Sequence, residues 1–482
     1  MTRLSTRTLR QAKAGVEVPR YDRAAVTPGI VHLGIGAFHR AHQAVVVDDV
    51  LSRDPSWGIT GASLRRPDTK QALAPQDGLY SVLIKDGEAR RVRVIGSVLE
   101  VIDAPNEKER LLALMADPAT RVVSLTITEK GYCYNAATDG LDVSHPDIVA
   151  DLARPRAPAT AAGIIVEGLR RRREAGIGPF TVLSCDNLPH NGAVAGRVFS
   201  EFAEAIDAGL GRWVQENVPF PGTMIDRIVP ATTDADRAEV AALLGLDDAW
   251  PVMAEPFLQW VVEDQFAGAR PPLQIGGVEF VSDVAPYERM KLRMLNGTHS
   301  SMAYLGYLGG YEFVAEVIAQ PDFRRFVSNE LNEEIAPTLG MPKMQTDDYA
   351  ARLLDRYSNT AMKHRTYQIA MDGSQKLPQR LLGTIGDRLK SGGSIERLAL
   401  AVAAWMIYAR GADLSGKPIV VQDPMAAEFA AIDPAHLVEG YLRLDRIFAP
   451  ELVGNARLRE TLEAKVALLR EVGAAEAVRR TA

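Results

Sequence analysis

Cysteine is almost absent from this 482-residue chain, Cys133 and Cys185 being its only two. Two thiols build no disulfide framework, and neither sits in a closely spaced Cys/His cluster of the zinc type, so a reducing, cytoplasmic setting is expected. Excess charge of one sign is lacking too. Lys and Arg number 55 against 61 Asp and Glu, which leaves no broad electropositive field for a nucleic-acid backbone or an anionic membrane. The longest apolar run, LALAVAAWMIYA from Leu398 to Ala409, falls far short of the roughly 20 residues of a membrane span. The basic start MTRLSTRTLRQAKAGVEVPR carries no apolar core of the kind a secretory signal needs. Small-molecule chemistry by a soluble protein is what remains.

What is present is a hydrophobic content of 47%, over a length that suits two large domains of up to about 250 residues each. In the first half, short β-rich runs alternate with helical stretches: GIVHLGIG (29–36), SWGITGAS (56–63), RVRVIGSV (91–98), RVVSLTIT (121–128) and FTVLSCDN (180–187). That rhythm predicts a parallel α/β sheet. The arginines Arg170 to Arg173 read as a solvated helix end whose cations complement the macrodipole. After residue 283 the strand-like runs give way to helical patterns at 285–308, 311–319, 322–335, 347–357, 378–391, 395–411 and 436–472. The expected organisation is a parallel-sheet domain over 1–283 and an all-helical domain over 284–482, packed together without a low-complexity linker.

Gly34 and Gly36 close the first strand in Gly-X-Gly spacing before a helix. Such a turn brings a pyrophosphate against helix N–H groups and predicts a Rossmann-type dinucleotide-binding domain, although the third position of the pattern is His39 rather than glycine. Cofactor contacts are expected at Gly34, Gly36, Ala37 and Phe38. Asp68 follows the second strand and suits the adenosine ribose, which favours NAD over NADP, while Arg65 and Arg66 beside it suit a 2′-phosphate.

The segment PYERMKLRMLNGTHSSMAYLGYLGG (286–310) carries the densest chemistry. On an α-helix, Glu288, Lys291, Asn296 and His299 fall within an arc of roughly 140°. Asn296-Gly297 is costly inside an apolar helix, and a buried polar cluster calls for a reason, catalysis being the attractive one. Tyr287 and Lys291 also form the Tyr-X-X-X-Lys pair of short-chain dehydrogenases, but the chain is too long for that group and its first turn lacks the group's glycine pattern. SCDNLPHNG (184–192) places Asn187 at the C-terminal end of a strand, where open α/β sheets bind ligands, and DGSQKLPQR (372–380) offers Lys376.

Together GIGAFHRAHQA, TITEKGYC, SCDNLPHNG, MIDRIVP, EPFLQWVVED, KLRMLNGTHS and DGSQKLPQR resemble the polyol-specific long-chain dehydrogenases, the mannitol dehydrogenase family. The resemblance implies an NAD-dependent oxidoreductase that works without metal and interconverts a ketose or 2-keto sugar acid with its secondary alcohol in a cleft between its domains. It implies Lys291 as general base, and an ammonium desolvated in a closed cleft sheds its proton more readily. It further implies Asn187 and Asn296 as donors to the substrate oxygen, His299 and Lys376 as ligands of substrate hydroxyls, and Asp226 and Glu288 as carboxylates near the lysine. Glu288 would relay protons, and Glu129 of TITEKGYC would contact the cofactor. Gln368 stands where mannitol-oxidising members carry an arginine, and HRTYQIAMDGSQKLPQR is closer to hexuronate-reducing ones. A uronate carboxylate suits a guanidinium fork, for which Arg365 and Arg380 are available. Polyol oxidation is the alternative, and an NAD-sensing protein without turnover a distant one. A helical domain large enough to cover the cofactor domain is compatible with a monomer.

Overall fold

The computed structural model describes residues 1–482, which divide into two compact units, Met1–Ala285 and Pro286–Ala482. No helix is long and apolar enough to cross a membrane. The strands of the first unit are β1 (Pro28–Leu33), β2 (Gly58–Ser63), β3 (Tyr80–Asp86), β4 (Ala89–Ile95), β5 (Val98–Asp103) and β6 (Val122–Leu125), then the short pair β7 (Tyr134–Asn135) and β8 (Gly140–Leu141). They continue with β9 (Thr181–Ser184), β10 (Thr223–Asp226), β11 (Val252–Ala254), β12 (Gln259–Glu263) and β13 (Glu279–Val281).

The central sheet has the order β5-β2-β1-β6-β9 and is parallel throughout. Its strands are buried on both faces, which is why they read as apolar runs rather than alternations. One face packs Val45, Val46, Trp57 and Ile59 in one core, and the other packs Val31, Leu33, Ile165 and Phe199 in a second. From β1 the chain builds outward through β2 to β5 and then returns to build through β6 to β9, so the strand order reverses between β1 and β6. The crevice at the carboxyl ends of these two strands is the place where open α/β sheets take their ligands.

Two expectations for this unit are corrected. RVRVIGSV (91–98) is not one strand of the parallel sheet: residues to Ile95 form β4, antiparallel to β3 in a separate sheet with β11, and Val98 begins β5. Alternation reports a half-buried strand but not the sheet it joins. The arginine run is not a uniformly solvated helix end either. Arg172 is buried and donates to the carbonyls of Met115, Asp117, Thr120 and Gly178, while Arg170 and Arg171 pair with Glu167.

In the second unit the apolar run seen in the sequence lies in the helix Glu396–Ala409, buried at every position from Leu398. Around it Trp405 packs edge-on against Tyr441 and Phe429, with ring centroids at 4.9 and 5.6 Å. The expected helix over 436–472 is three pieces, Leu437–Leu442, Pro450–Val453 and Ala456–Thr481. Pro450, which has no N–H to donate, starts the middle piece, and the last piece is kinked at Gly473, whose φ of +78 is non-helical.

Candidate active site

In the first unit the candidate residues other than Asp226 follow the carboxyl ends of the parallel strands. β1 ends at Leu33, and Gly34 turns the chain at φ +94. A Cβ there would collide with the Thr126 carbonyl oxygen, so only glycine fits. Gly36 caps the helix Ala37–Ala41, and a Cβ on it would meet nothing closer than the Gly34 oxygen at 3.8 Å. The outer side of the turn is therefore an open backbone cradle, flanked by Ala37 and Phe38 in the first helical turn. Those two features, one glycine needed for the bend and one leaving a bare surface, fit the diphosphate of a dinucleotide. Asp68 opens the helix Asp68–Leu73 beyond β2 and lies 3.5 Å from Arg66. Glu129 is exposed in the loop after β6.

Asn187 is exposed just beyond β9, and the sequence reading missed what organises its loop. The buried Asp186 carboxylate accepts from the Ile127 and Thr128 backbone N–H groups at 3.1 and 2.7 Å and from the Tyr132 hydroxyl at 2.7 Å. One side chain thus ties the loop after β6 to the loop after β9. Asn191 supplies a second tie, bonding the Asp186 carbonyl and both backbone groups of Thr223 on β10. Asp226 ends β10, buried and paired in register with Gln259 of β12.

In the second unit Glu288 lies in the helical turn Ala285–Met290, Lys291 to Gly297 are π-helical, and a regular α-helix resumes at Thr298. The wider turn changes the 100° spacing assumed from sequence, so the α-helical arc for these four residues does not hold as drawn. Segments of this kind recur at functional sites because they re-aim side chains. The Thr298 hydroxyl donates to the Met294 carbonyl at 2.6 Å, and the Tyr357 hydroxyl lies 2.7 Å from that of Thr298 and 3.2 Å from the Leu295 carbonyl. Gly297 is explained by proximity: a Cβ there would stand 3.0 Å from the Arg380 carbonyl. Lys291 and Glu288 are half-buried.

The polar groups around this segment are under-used. Asn296 Oδ1 and His299 Nε2 are buried without hydrogen-bond partners. His299 stacks obliquely on Tyr357 at 4.8 Å and meets His364 edge-on at 5.6 Å. Burial, helped by His364, Arg356 and Arg380, holds its pKa well below the ordinary imidazole value, so it is a neutral hydrogen-bonding group. Arg380 reaches the Ser300 hydroxyl at 3.2 Å and the Asn296 carbonyl at 3.5 Å, with no carboxylate beside it, and burial lowers its pKa. Lys376 donates to the Met371 carbonyl at 2.6 Å, and burial and then Arg380 lower its pKa. Arg365 is exposed and engaged on Glu312 and on the Phe313 ring, and Gln368 is exposed.

Both units match family models: residues 28–275 the mannitol dehydrogenase Rossmann domain and residues 283–469 the mannitol dehydrogenase C-terminal domain. The chain belongs to the mannitol dehydrogenase family. It is an oxidoreductase of that family, with a Rossmann-type N-terminal domain and a helical C-terminal domain. D-mannonate oxidoreductase of Escherichia coli (strain K12) is 47% identical over 470 residues, 95% of this chain and 97% of the relative. Among solved structures, a substrate-free D-sorbitol dehydrogenase matches with a TM-score of 0.93 and 37% identity, over 98% of this chain and 100% of the other. The Pseudomonas fluorescens mannitol 2-dehydrogenase, in ternary complex with NAD and D-mannitol, matches with a TM-score of 0.83 and 38% identity over 99% of both chains.

Proposed function

We propose that this member of the family reduces a 2-keto sugar acid to its secondary alcohol with NADH, as a fructuronate reductase, or D-mannonate oxidoreductase. The observation that carries the substrate choice is Arg380, a half-buried guanidinium without a carboxylate partner, set beside Asn296 and Ser300 of the candidate catalytic segment. A desolvated guanidinium lacking an anion is poised for one, and a uronate brings it in a bidentate geometry. The relative named D-mannonate oxidoreductase supports the same reading.

NAD suits the bare Gly34–Gly36 turn, and when bound its nicotinamide supplies or accepts the hydride. Lys291 gives its Nζ proton to the ketone oxygen during reduction and takes it back from the hydroxyl during oxidation. Asn187 and Asn296 donate hydrogen bonds to that oxygen while it carries alkoxide charge. His299, which is neutral, and Lys376 orient substrate hydroxyls, Glu288 hands protons on to solvent, Asp226 contributes to substrate binding, and Arg380 fixes the far carboxylate. Arg365 has no part in this scheme, because Glu312 and Phe313 already occupy it.

Mannitol oxidation is the second reading, favoured by the likeness to the mannitol 2-dehydrogenase structure. NADH oxidation by the purified protein with matched fructuronate and fructose, and with NADPH in parallel, decides between them. A strong preference for fructuronate with NADH is expected. Preference for fructose would make the chain a polyol dehydrogenase that tolerates Gln368.

A further inference from the structure

Beneath the cofactor turn runs a chain of hydrogen bonds that the proposed chemistry does not use. His32 of β1 and Ser124 of β6 are register partners, and their side chains meet at 2.8 Å through His32 Nδ1. On the other edge of the ring, His32 Nε2 lies 2.9 Å from the Thr126 hydroxyl. That hydroxyl in turn donates to the Gly34 carbonyl at 2.8 Å. The same carbonyl accepts the Gly36 backbone N–H at 2.6 Å, so it is the atom on which the turn closes.

With each of these contacts a hydrogen bond, the proton positions follow. A carbonyl only accepts, so the single Thr126 hydroxyl proton points at Gly34. The Thr126 oxygen must then accept from His32, which places the imidazole proton on Nε2 and leaves Nδ1 to accept from Ser124. Burial drives the His32 pKa down to about 3, so the ring stays neutral. His39, at the position where the glycine pattern has its third glycine, lays its ring on His32 with centroids 3.4 Å apart and planes 14° from parallel. A glycine there would let helix and strand approach; here two flat neutral rings set the spacing.

We propose that Thr126 and His32 are positioning residues for the cofactor turn: through the Gly34 carbonyl they hold the Gly34–Gly36 backbone in its binding shape before the dinucleotide arrives. The inference rests on the reading of that turn as the NAD site. Preorganisation of this kind acts on cofactor affinity rather than on the chemical step.

The experiment uses the full-length protein and NADH binding followed by fluorescence, with kinetics in parallel. Thr126→Val, which keeps shape and removes the donor, is expected to weaken NADH binding by about tenfold, the loss falling on Kd and on KM for NADH rather than on kcat. Thr126→Ser restores parent affinity. His32→Phe keeps the stack on His39 and loses both hydrogen bonds, and its loss matches that of Thr126→Val. The double variant is no weaker than the worse single, because both changes cut one chain. In the parent protein, imidazole 15N shifts report His32 protonated at Nε2 and unprotonated at Nδ1. Parent-like NADH affinity in Thr126→Val, a Thr126→Ser variant as weak as Thr126→Val, multiplicative losses, or an Nδ1-protonated His32 would each overturn the proposal. Failure of the parent itself to bind NADH would instead remove the reading of the turn on which it rests.

Discussion

The turn Gly34–Ala41 and the segment Lys291–Ser300 solve opposite problems. The turn is backbone work: its shape comes from a glycine at positive φ, and its key carbonyl is satisfied from within by Gly36 and Thr126. The candidate catalytic segment is side-chain work, and it leaves capacity unspent, with Asn296 Oδ1 and His299 Nε2 buried and unpartnered and Arg380 without an anion. A cofactor is the same in every turnover, so a rigid backbone cradle suffices for it. Substrate selection requires groups whose hydrogen bonds are completed only when the right molecule arrives, since leaving them unmet is costly.

Substitutions on each side test that contrast. Lys291→Ala should lower kcat by about a thousandfold or more while NADH binding stays close to parent, read by steady-state kinetics and fluorescence titration. A near-normal rate would remove Lys291 from the mechanism. Gly34→Ala forces a Cβ onto the Thr126 carbonyl and should cost both thermal stability and about a hundredfold in NADH affinity. Gly36→Ala, whose Cβ meets open space, should leave Tm unchanged and still weaken NADH binding by about tenfold. A fall in Tm for Gly36→Ala would make that glycine structural rather than ligand-facing.

The smallest effect lies at Glu330. It is fully buried and accepts from Ser301 at 2.6 Å, and burial, with Glu334 adding and Ser301 and Arg397 opposing, pushes its carboxyl up to about 8. Between its ordinary value of 4.5 and about 8 the folded protein keeps a proton that the unfolded chain has released. Its contribution to stability is therefore full at low pH and lost as pH rises through that window. Glu330→Gln should flatten the decline of Tm between pH 5 and 8, measured by calorimetry, and an unchanged slope would place the titrating group elsewhere.

Much of this was readable from the chain because some positions admit few residues. Gly34 stands where only glycine survives the bend, and Asn296-Gly297 inside an apolar stretch flagged the segment that became π-helical. The π turn itself was not readable, since its carbonyls are met partly by Tyr357, a residue distant in sequence. Asp186, Thr126 and His32 escaped notice for the same reason. They are ordinary polar residues whose roles exist only once β1, β6 and β9 lie side by side. The split of 91–98 between two strands was hidden because alternation carries no information about partners.

The substrate side of the contrast is tested most directly by Arg380→Gln, assayed in parallel with fructuronate and with fructose. The expected result is a rise of about ten- to a hundredfold in the KM for fructuronate with little change for fructose. An equal loss on both substrates, or none on fructuronate, would contradict the carboxylate role of Arg380.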